Sequence, residues 1–279
     1  MVNFNGELLN DAENTLHQNR AFLYGDGVFE TFRIANGKIL FLEDHYFRLM
    51  ASMRIVRMEI PMNFTMEYLE EQVMRAVNAD GNAASARARI TVFRNTGGLY
   101  KPVSNDVSYL IQNQALETVS YGLGTTQYEV DLYKDFYVCR HLLSTIKTTN
   151  KLINITGSIF AEENGLDNCI LLNETKNVVE ALQGNLFMVQ GSRLLTPPVS
   201  EGCVKGVMRK QILELAGKLE GIEVAEEIIS PFDLQKADEL FITNVIIGIQ
   251  PVTKYRKKEY KSDLASLLTK KLNTFLSEN

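Results

Sequence analysis

Leu143-Ser-Thr-Ile-Lys-Thr-Thr-Asn-Lys-Leu-Ile153 places one lysine, Lys147, among apolar and small hydroxyl residues just ahead of a helix-like stretch. Such a lysine has two readings. Most lysines are solvated cations, and by itself this one reads as an exposed cation at a helix start. Partial burial, however, disfavours the ammonium and leaves a nucleophilic amine able to form Schiff bases. The rest of the chain has to decide between them.

Outward from Lys147 the pattern alternates strands and helices. On the N-terminal side, Val2 to Phe4, Val28 to Ile34 and Lys38 to Leu42 have strand composition, with Asn36-Gly37 as a two-residue hairpin signal. Asp44 to Met58 and Thr65 to Asn78 carry apolar residues at helical spacing, with Thr65 as N-cap. Arg87 to Phe93 and Val107 to Gln112 read as strands around a turn-rich loop, residues 94 to 102. Loss of period and gain of Ser and Gly put an interdomain connection at 116–126. Beyond it, Glu129 to Val138 reads as extended chain and residues 149 to 164 as helix. Cys169 to Leu172, Val178 to Leu182, Asn185 to Gln190 and Glu239 to Asn244 are expected strands. Helices are expected from about Lys205 to Leu219 and from Ser262 to Leu276. The expected fold class is mixed α/β (α+β): a small N-terminal domain at 1–115 and a larger domain at 127–279 carrying Lys147.

Composition narrows the function. The 279 residues are 45% hydrophobic, enough for a sizeable core, and the net charge is −5. Basic residues are scattered rather than striped, which argues against nucleic acid or an anionic membrane as partner. The N-terminal residues lack signal-peptide character and no apolar run approaches spanning length, so a cytoplasmic protein is expected. Cys139, Cys169 and Cys203 are widely spaced and His17, His45 and His141 lack ligand spacing, so no metal site is expected.

Four further features acquire meaning if Lys147 holds pyridoxal 5′-phosphate (PLP), which needs an amine, an acid for its pyridine nitrogen and donors for its phosphate. Glu180, in the apolar run Val178-Val-Glu-Ala-Leu182, is the acid candidate; by itself it also reads as an exposed strand-edge glutamate. In Val204-Lys-Gly-Val-Met-Arg209 a glycine precedes a helix, offering the N–H groups of Val207 and Met208 to an anion. Arg48 adds a cation, or is a surface arginine. Thr243-Asn244 opens an apolar run to Val252 that reads as a ligand wall or as a core strand.

These segments, with Tyr24-Gly-Asp-Gly-Val-Phe-Glu-Thr31, Ile146-Lys-Thr-Thr-Asn150, Gly184-Asn-Leu-Phe187 and Leu194-Leu-Thr-Pro-Pro198, resemble in this order the class IV PLP enzymes. That family comprises branched-chain aminotransferases, D-amino-acid aminotransferases and 4-amino-4-deoxychorismate lyases. The resemblance implies a two-domain fold-type IV architecture of the D-amino-acid aminotransferase kind, a PLP cofactor and a homodimer. In that dimer the loop at Gly97-Gly98 reaches the neighbouring subunit's active site. Lys147 corresponds to the Schiff-base lysine, Glu180 to the partner of the pyridine nitrogen and Arg48 to the arginine on the phosphate. Val207 and Met208 correspond to the phosphate-binding helix start, where relatives have a threonine near Met208. Thr243, Asn244 and Arg140 fall near the cofactor, and Phe29, Glu30, Arg94 and Lys101 at the substrate. Phe29 and Leu99 depart from the D-amino-acid pattern, whereas Thr243-Asn244 resembles the lyase version of its segment. The resemblance thus implies 4-amino-4-deoxychorismate lyase first, a step toward folate, with a branched-chain or other aminotransferase as the alternative. A non-catalytic PLP- or phosphate-binding protein is a third reading.

Overall fold

The computed structural model describes residues 2–4, 7–9, 16–122, 124 and 127–278, and divides into two units. The first comprises Met1–Ala115 together with Lys147–Asn150, and the second Leu116–Ile146 with Lys151–Asn279.

In the first unit, β1 (Val2–Phe4) pairs with β2 (Glu7–Leu9), followed by α1 (Arg20–Tyr24). A four-stranded antiparallel sheet then forms from β3 (Gly27–Ala35), β4 (Lys38–Ile39), β5 (Ser85–Arg94) and β6 (Val107–Ala115), ordered β4-β3-β5-β6. Asn36 and Gly37 both adopt positive φ (51° and 75°), the conformation a tight two-residue hairpin requires. Alternation places Val28, Phe32, Ile34, Ala86, Ala88, Ile90 and Val92 on one face. Onto it pack α2 (Leu42–Ile55), through Leu49, Met50 and Met53, and α3 (Met66–Ala79), through Leu69, Val73 and Val77. Thr65 caps α3 as its sequence implies, its Oγ1 accepting the Tyr68 N–H at 3.2 Å. The strand expected to run to Leu42 stops at Ile39, because α2 begins at Leu42.

The second unit holds β7 (Glu129–Val138), α4 (Leu152–Glu163), β8 (Asn168–Asn173), β9 (Val178–Ala181), β10 (Asn185–Gln190) and β11 (Arg193–Thr196). It continues with α5 (Val207–Ala216), β12 (Glu223–Glu226), α6 (Pro231–Leu234), β13 (Glu239–Asn244) and β14 (Gly248–Val252). Two short strands, β15 (Lys254–Tyr255) and β16 (Lys258–Glu259), and α7 (Asp263–Glu278) close it. Two five-stranded sheets result, ordered β12-β11-β10-β13-β14 and β16-β15-β7-β8-β9. Val130, Ile170, Val178, Leu186, Leu240 and Ile242 form their shared core. α7 packs on β13, β14 and α5. Among the described residues no helix is long and apolar enough to cross a membrane.

Two boundaries differ from expectation. Residues 116–122 group with the second unit, where Tyr121 is buried, donates its hydroxyl to the Val245 carbonyl and exchanges backbone bonds with the Asn273 amide. Residues 123 and 125–126 lie outside the described chain. Lys147–Asn150, expected in the C-terminal domain, groups with the first unit because it adds an extended stretch beside β3. Val28 bridges Thr148, the Phe29 N–H bonds the Lys147 carbonyl at 2.8 Å, and the Thr149 N–H bonds Gly27 at 3.0 Å.

Candidate active site

In the first unit, Gly25-Asp26-Gly27 is the socket for the Lys147 segment. Gly25 closes α1 at φ 63°, and its carbonyl accepts the Thr149 hydroxyl at 2.9 Å and the Asn150 amide at 3.0 Å. A Cβ on Gly25 would stand 2.4 Å from Asn150 Oδ1, so glycine is needed both for the turn and for this approach. The half-buried Lys147 thereby sits on the opposite sheet face from the apolar core, its Nζ 4.8 Å from the centroid of the buried Phe29 ring. The guanidinium of Arg89, from β5, lies 3.9 Å from the same centroid. Burial and the neighbouring Arg87 lower the Arg89 pKa.

Glu30, one residue on, points to the other face. It is 1% exposed and is gripped by Arg48 Nε and Nη2 at 2.7 and 2.6 Å and by His45 Nδ1 at 2.8 Å. Burial would raise this carboxyl, but Arg48 and His45 outweigh it and hold it near about 2. Burial lowers the His45 pKa despite the Glu30 carboxylate. Glu30 is therefore a core anchor between β3 and α2, not the substrate contact expected for it. Two Arg48 nitrogens are committed to that anchor.

Arg94, also expected at the substrate, is held within the first unit. It is 6% exposed, with Nε on Asp26 at 3.0 Å, Nη2 on the Val56 carbonyl at 2.7 Å and Nη1 on the Arg57 carbonyl and Asn105. Asp26 also takes Arg20 Nε at 2.8 Å, and Arg20 donates to the carbonyls of Gly97, Gly98 and Leu99. Both arginines thus bond the Asp26 carboxylate and backbone carbonyls. Lys101 is exposed on the loop that Arg20 holds, and the structure does not join it to Phe29 or Lys147. Arg89 escaped the sequence reading because Arg87-Ala-Arg89 looks like an ordinary strand; the alternation that turns both arginines away from Ala88 was the available signal.

The second unit assembles a separate set of groups. Glu180 on β9 accepts the Val204 N–H at 3.0 Å and the Asn185 amide at 3.3 Å, and Asn185 Nδ2 also holds the Val204 carbonyl at 2.8 Å. Asn185, missed from the sequence, thus ties the acid on β9 to the loop before α5. Gly206 N-caps α5 without a side-chain cap, and a Cβ there would lie 2.0 Å from Asn185 Oδ1. The first backbone bond of the helix runs from Lys210 N–H to Gly206, which leaves the Val207 and Met208 N–H groups ahead of the ladder. Thr243 pairs in register with Asn185; its Oγ1 is buried and has no hydrogen-bond partner. Asn244 is a turn former: its Oδ1 accepts the Ile246 and Ile247 N–H groups and its amide donates to Gln183. The run beyond it, Gly248–Val252, is the core strand β14. Arg140 is exposed and pairs with Glu174 at 3.0 Å and Glu201 at 3.7 Å, so it is not joined to Glu180.

These donors suit PLP. A carboxylate positioned by N–H donors suits a protonated ring nitrogen, an uncapped helix start suits a phosphate, and the orphaned Thr243 hydroxyl is a donor still to be used.

Residues 27–255 match the model of the amino-transferase class IV family. A relative from Methanocaldococcus jannaschii, provisionally named a branched-chain-amino-acid aminotransferase, is 29% identical over 97% of this chain and 93% of its own. An aminodeoxychorismate lyase from Vibrio harveyi is 26% identical over 88% of each. The crystal structure of the branched-chain aminotransferase from Thermoproteus uzoniensis superposes with a TM-score of 0.81 at 26% identity, covering 95% of this chain and 91% of that one.

Proposed function

The chain belongs to the class IV amino-transferase family, whose members are PLP-dependent, and from that premise we propose that it is a 4-amino-4-deoxychorismate lyase with Lys147 as the PLP-bearing lysine. The observation that carries the catalytic assignment is the seating of Lys147. Its backbone is bonded to β3 and its amine lies 4.8 Å from the Phe29 centroid, so a flexible side chain is given a fixed origin.

When bound, PLP supplies an electron sink for the carbon that bears the substrate amine. Lys147 Nζ accepts the proton from that carbon and returns it to the departing fragment. Glu180 keeps a proton on the ring nitrogen, while the N–H groups of Val207 and Met208 and the Thr243 hydroxyl hold the phosphate. Arg89 binds a substrate carboxylate, the role that Arg94 does not fill. We place the enzyme in the cytoplasm, on a route to folate. Its working form in this reading is a homodimer, in which the loop held by Arg20, with Leu99, Tyr100 and Val103 exposed, meets a second copy.

The lyase reading is favoured by Thr243-Asn244 and by the presence of two arginines, Arg87 and Arg89, for a substrate with two carboxylates. The second reading, transamination, is favoured by the aminotransferase relative that matches 97% of the chain. Incubation with aminodeoxychorismate, and separately with leucine plus 2-oxoglutarate, separates them. The proposal expects 4-aminobenzoate and pyruvate from the first; glutamate from the second without 4-aminobenzoate from the first overturns it.

A further inference from the structure

Asn185, the first residue of β10, is 4% exposed and stands where three segments of the second unit meet. Its Nδ2 donates to Glu180 Oε2 at 3.3 Å and to the Val204 carbonyl at 2.8 Å, while the Val204 N–H donates to the same Oε2 at 3.0 Å. Both backbone groups of Val204 are thereby bracketed, one by the acid and one by the amide. The amide has one workable orientation: turned over, its Oδ1 would face two acceptors, the carboxylate and the carbonyl. In the orientation it holds, Oδ1 lies against Gly206, the N-cap of α5, so closely that a Cβ there would collide with it. Lys205, between Val204 and Gly206, donates its N–H to the Thr145 carbonyl at 3.1 Å, so the approach to α5 is fixed residue by residue. Across the ladder Asn185 pairs with Thr243, whose buried hydroxyl has no hydrogen-bond partner among the described residues.

We infer that Asn185 is a positioning residue for the phosphate end of the cofactor site, holding the start of α5 at a set distance from Glu180. The inference rests on the PLP reading and deepens it. The pyridine ring of PLP is rigid and its phosphate hangs on a short tether. An acid for the ring nitrogen and N–H groups for the phosphate therefore serve one molecule best when their separation is set beforehand. Asn185 sets it with a single amide, because the same Nδ2 holds the Glu180 carboxylate and a carbonyl three residues ahead of Val207. Loss of that amide acts unequally on the two ends. Glu180 keeps the Val204 N–H, whereas the Val204 carbonyl loses the Asn185 donor, so the helix start is loosened more than the acid.

The test compares PLP with pyridoxal, the same molecule without its phosphate. Each is titrated into the full-length protein and its uptake read from the visible cofactor band, with the melting temperature of every variant measured alongside. The preference for PLP over pyridoxal, taken from the two dissociation constants, reports what the phosphate contributes. Asn185→Leu keeps roughly the size of the side chain and removes the donor; Asn185→Ala removes both, and decides the point if the first variant does not fold. Either is expected to cut the preference for PLP at least about tenfold, the range of one or two hydrogen bonds. An unchanged preference, or equal weakening of PLP and pyridoxal, overturns the positioning role, whatever the melting temperatures show. A wild type that takes up no PLP overturns the PLP reading and this inference with it, whereas a loaded wild type with an unchanged preference in the variants overturns the inference alone.

Discussion

The Lys147 carbonyl accepts the Phe29 N–H at 2.8 Å, and the amine of the same lysine lies 4.8 Å from the Phe29 ring. One residue of β3 therefore fixes both ends of the proposed catalytic side chain. Phe29 is 8% exposed and cannot move without disturbing the sheet, so the amine is offered from a rigid platform.

The socket for that segment should tolerate no side chain at Gly25. Gly25→Ala combines a φ of 63° with a 2.4 Å approach to Asn150. It should cost roughly 1–3 kcal/mol and weaken cofactor retention together with stability. Thermal unfolding and the bound-cofactor absorbance of the variant check this. A fully stable variant that keeps its cofactor would mean that the Thr149 and Asn150 contacts do not seat Lys147.

Arg94→Gln separates scaffold from substrate contact. Asp26 keeps Arg20 as its partner, so the loss is that of the Arg94 hydrogen bonds to Asp26 and to the Val56 and Arg57 carbonyls, and should lower stability by roughly 1–3 kcal/mol. The KM of the protein that still folds should stay close to wild type. A large rise in KM with an unchanged melting temperature would return Arg94 to the substrate.

The Glu30 anchor makes stability acid-sensitive. Its carboxyl is held near about 2 in the folded chain, below the ordinary 4.5, so its contribution is complete above pH 4.5 and is lost as pH falls toward 2. The size of that loss is on the order of 3 kcal/mol. His45, lowered from 6.5, acts in the same direction: its contribution is present above 6.5 and fades as pH falls below it. Urea midpoints should therefore decline on acidification, and Glu30→Gln should flatten the lower part of that slope. A midpoint that stays constant from neutral to strongly acidic pH would exclude the anchor.

Glu180→Gln should keep the cofactor but lose its proton at the ring nitrogen, slowing turnover by roughly 10²-fold or more. Single-turnover kinetics on the loaded variant measure it. Unchanged turnover would show that Glu180 serves only to position Val204 and Asn185.

Much of the architecture was legible because the relevant signals are local. The Asn36-Gly37 hairpin, the Thr65 cap and the strands Asn185–Gln190 and Glu239–Asn244 follow from turn chemistry and periodicity. What escaped depends on pairing across the chain. Glu30 and Phe29 are adjacent, yet only the sheet's register shows that one enters the core and the other faces the lysine. Arg94 and Arg89 are both strand arginines, and their opposite roles follow from a single step of alternation. The Lys147 segment could not be grouped with β3 from sequence, since its partners are more than a hundred residues away.

The most direct test is borohydride reduction of the PLP-reconstituted protein followed by peptide mapping. The account predicts a stable phosphopyridoxyl modification on the peptide containing Lys147, absent from Lys147→Ala. Modification of a different lysine, or no modification in a protein that binds PLP, would contradict it.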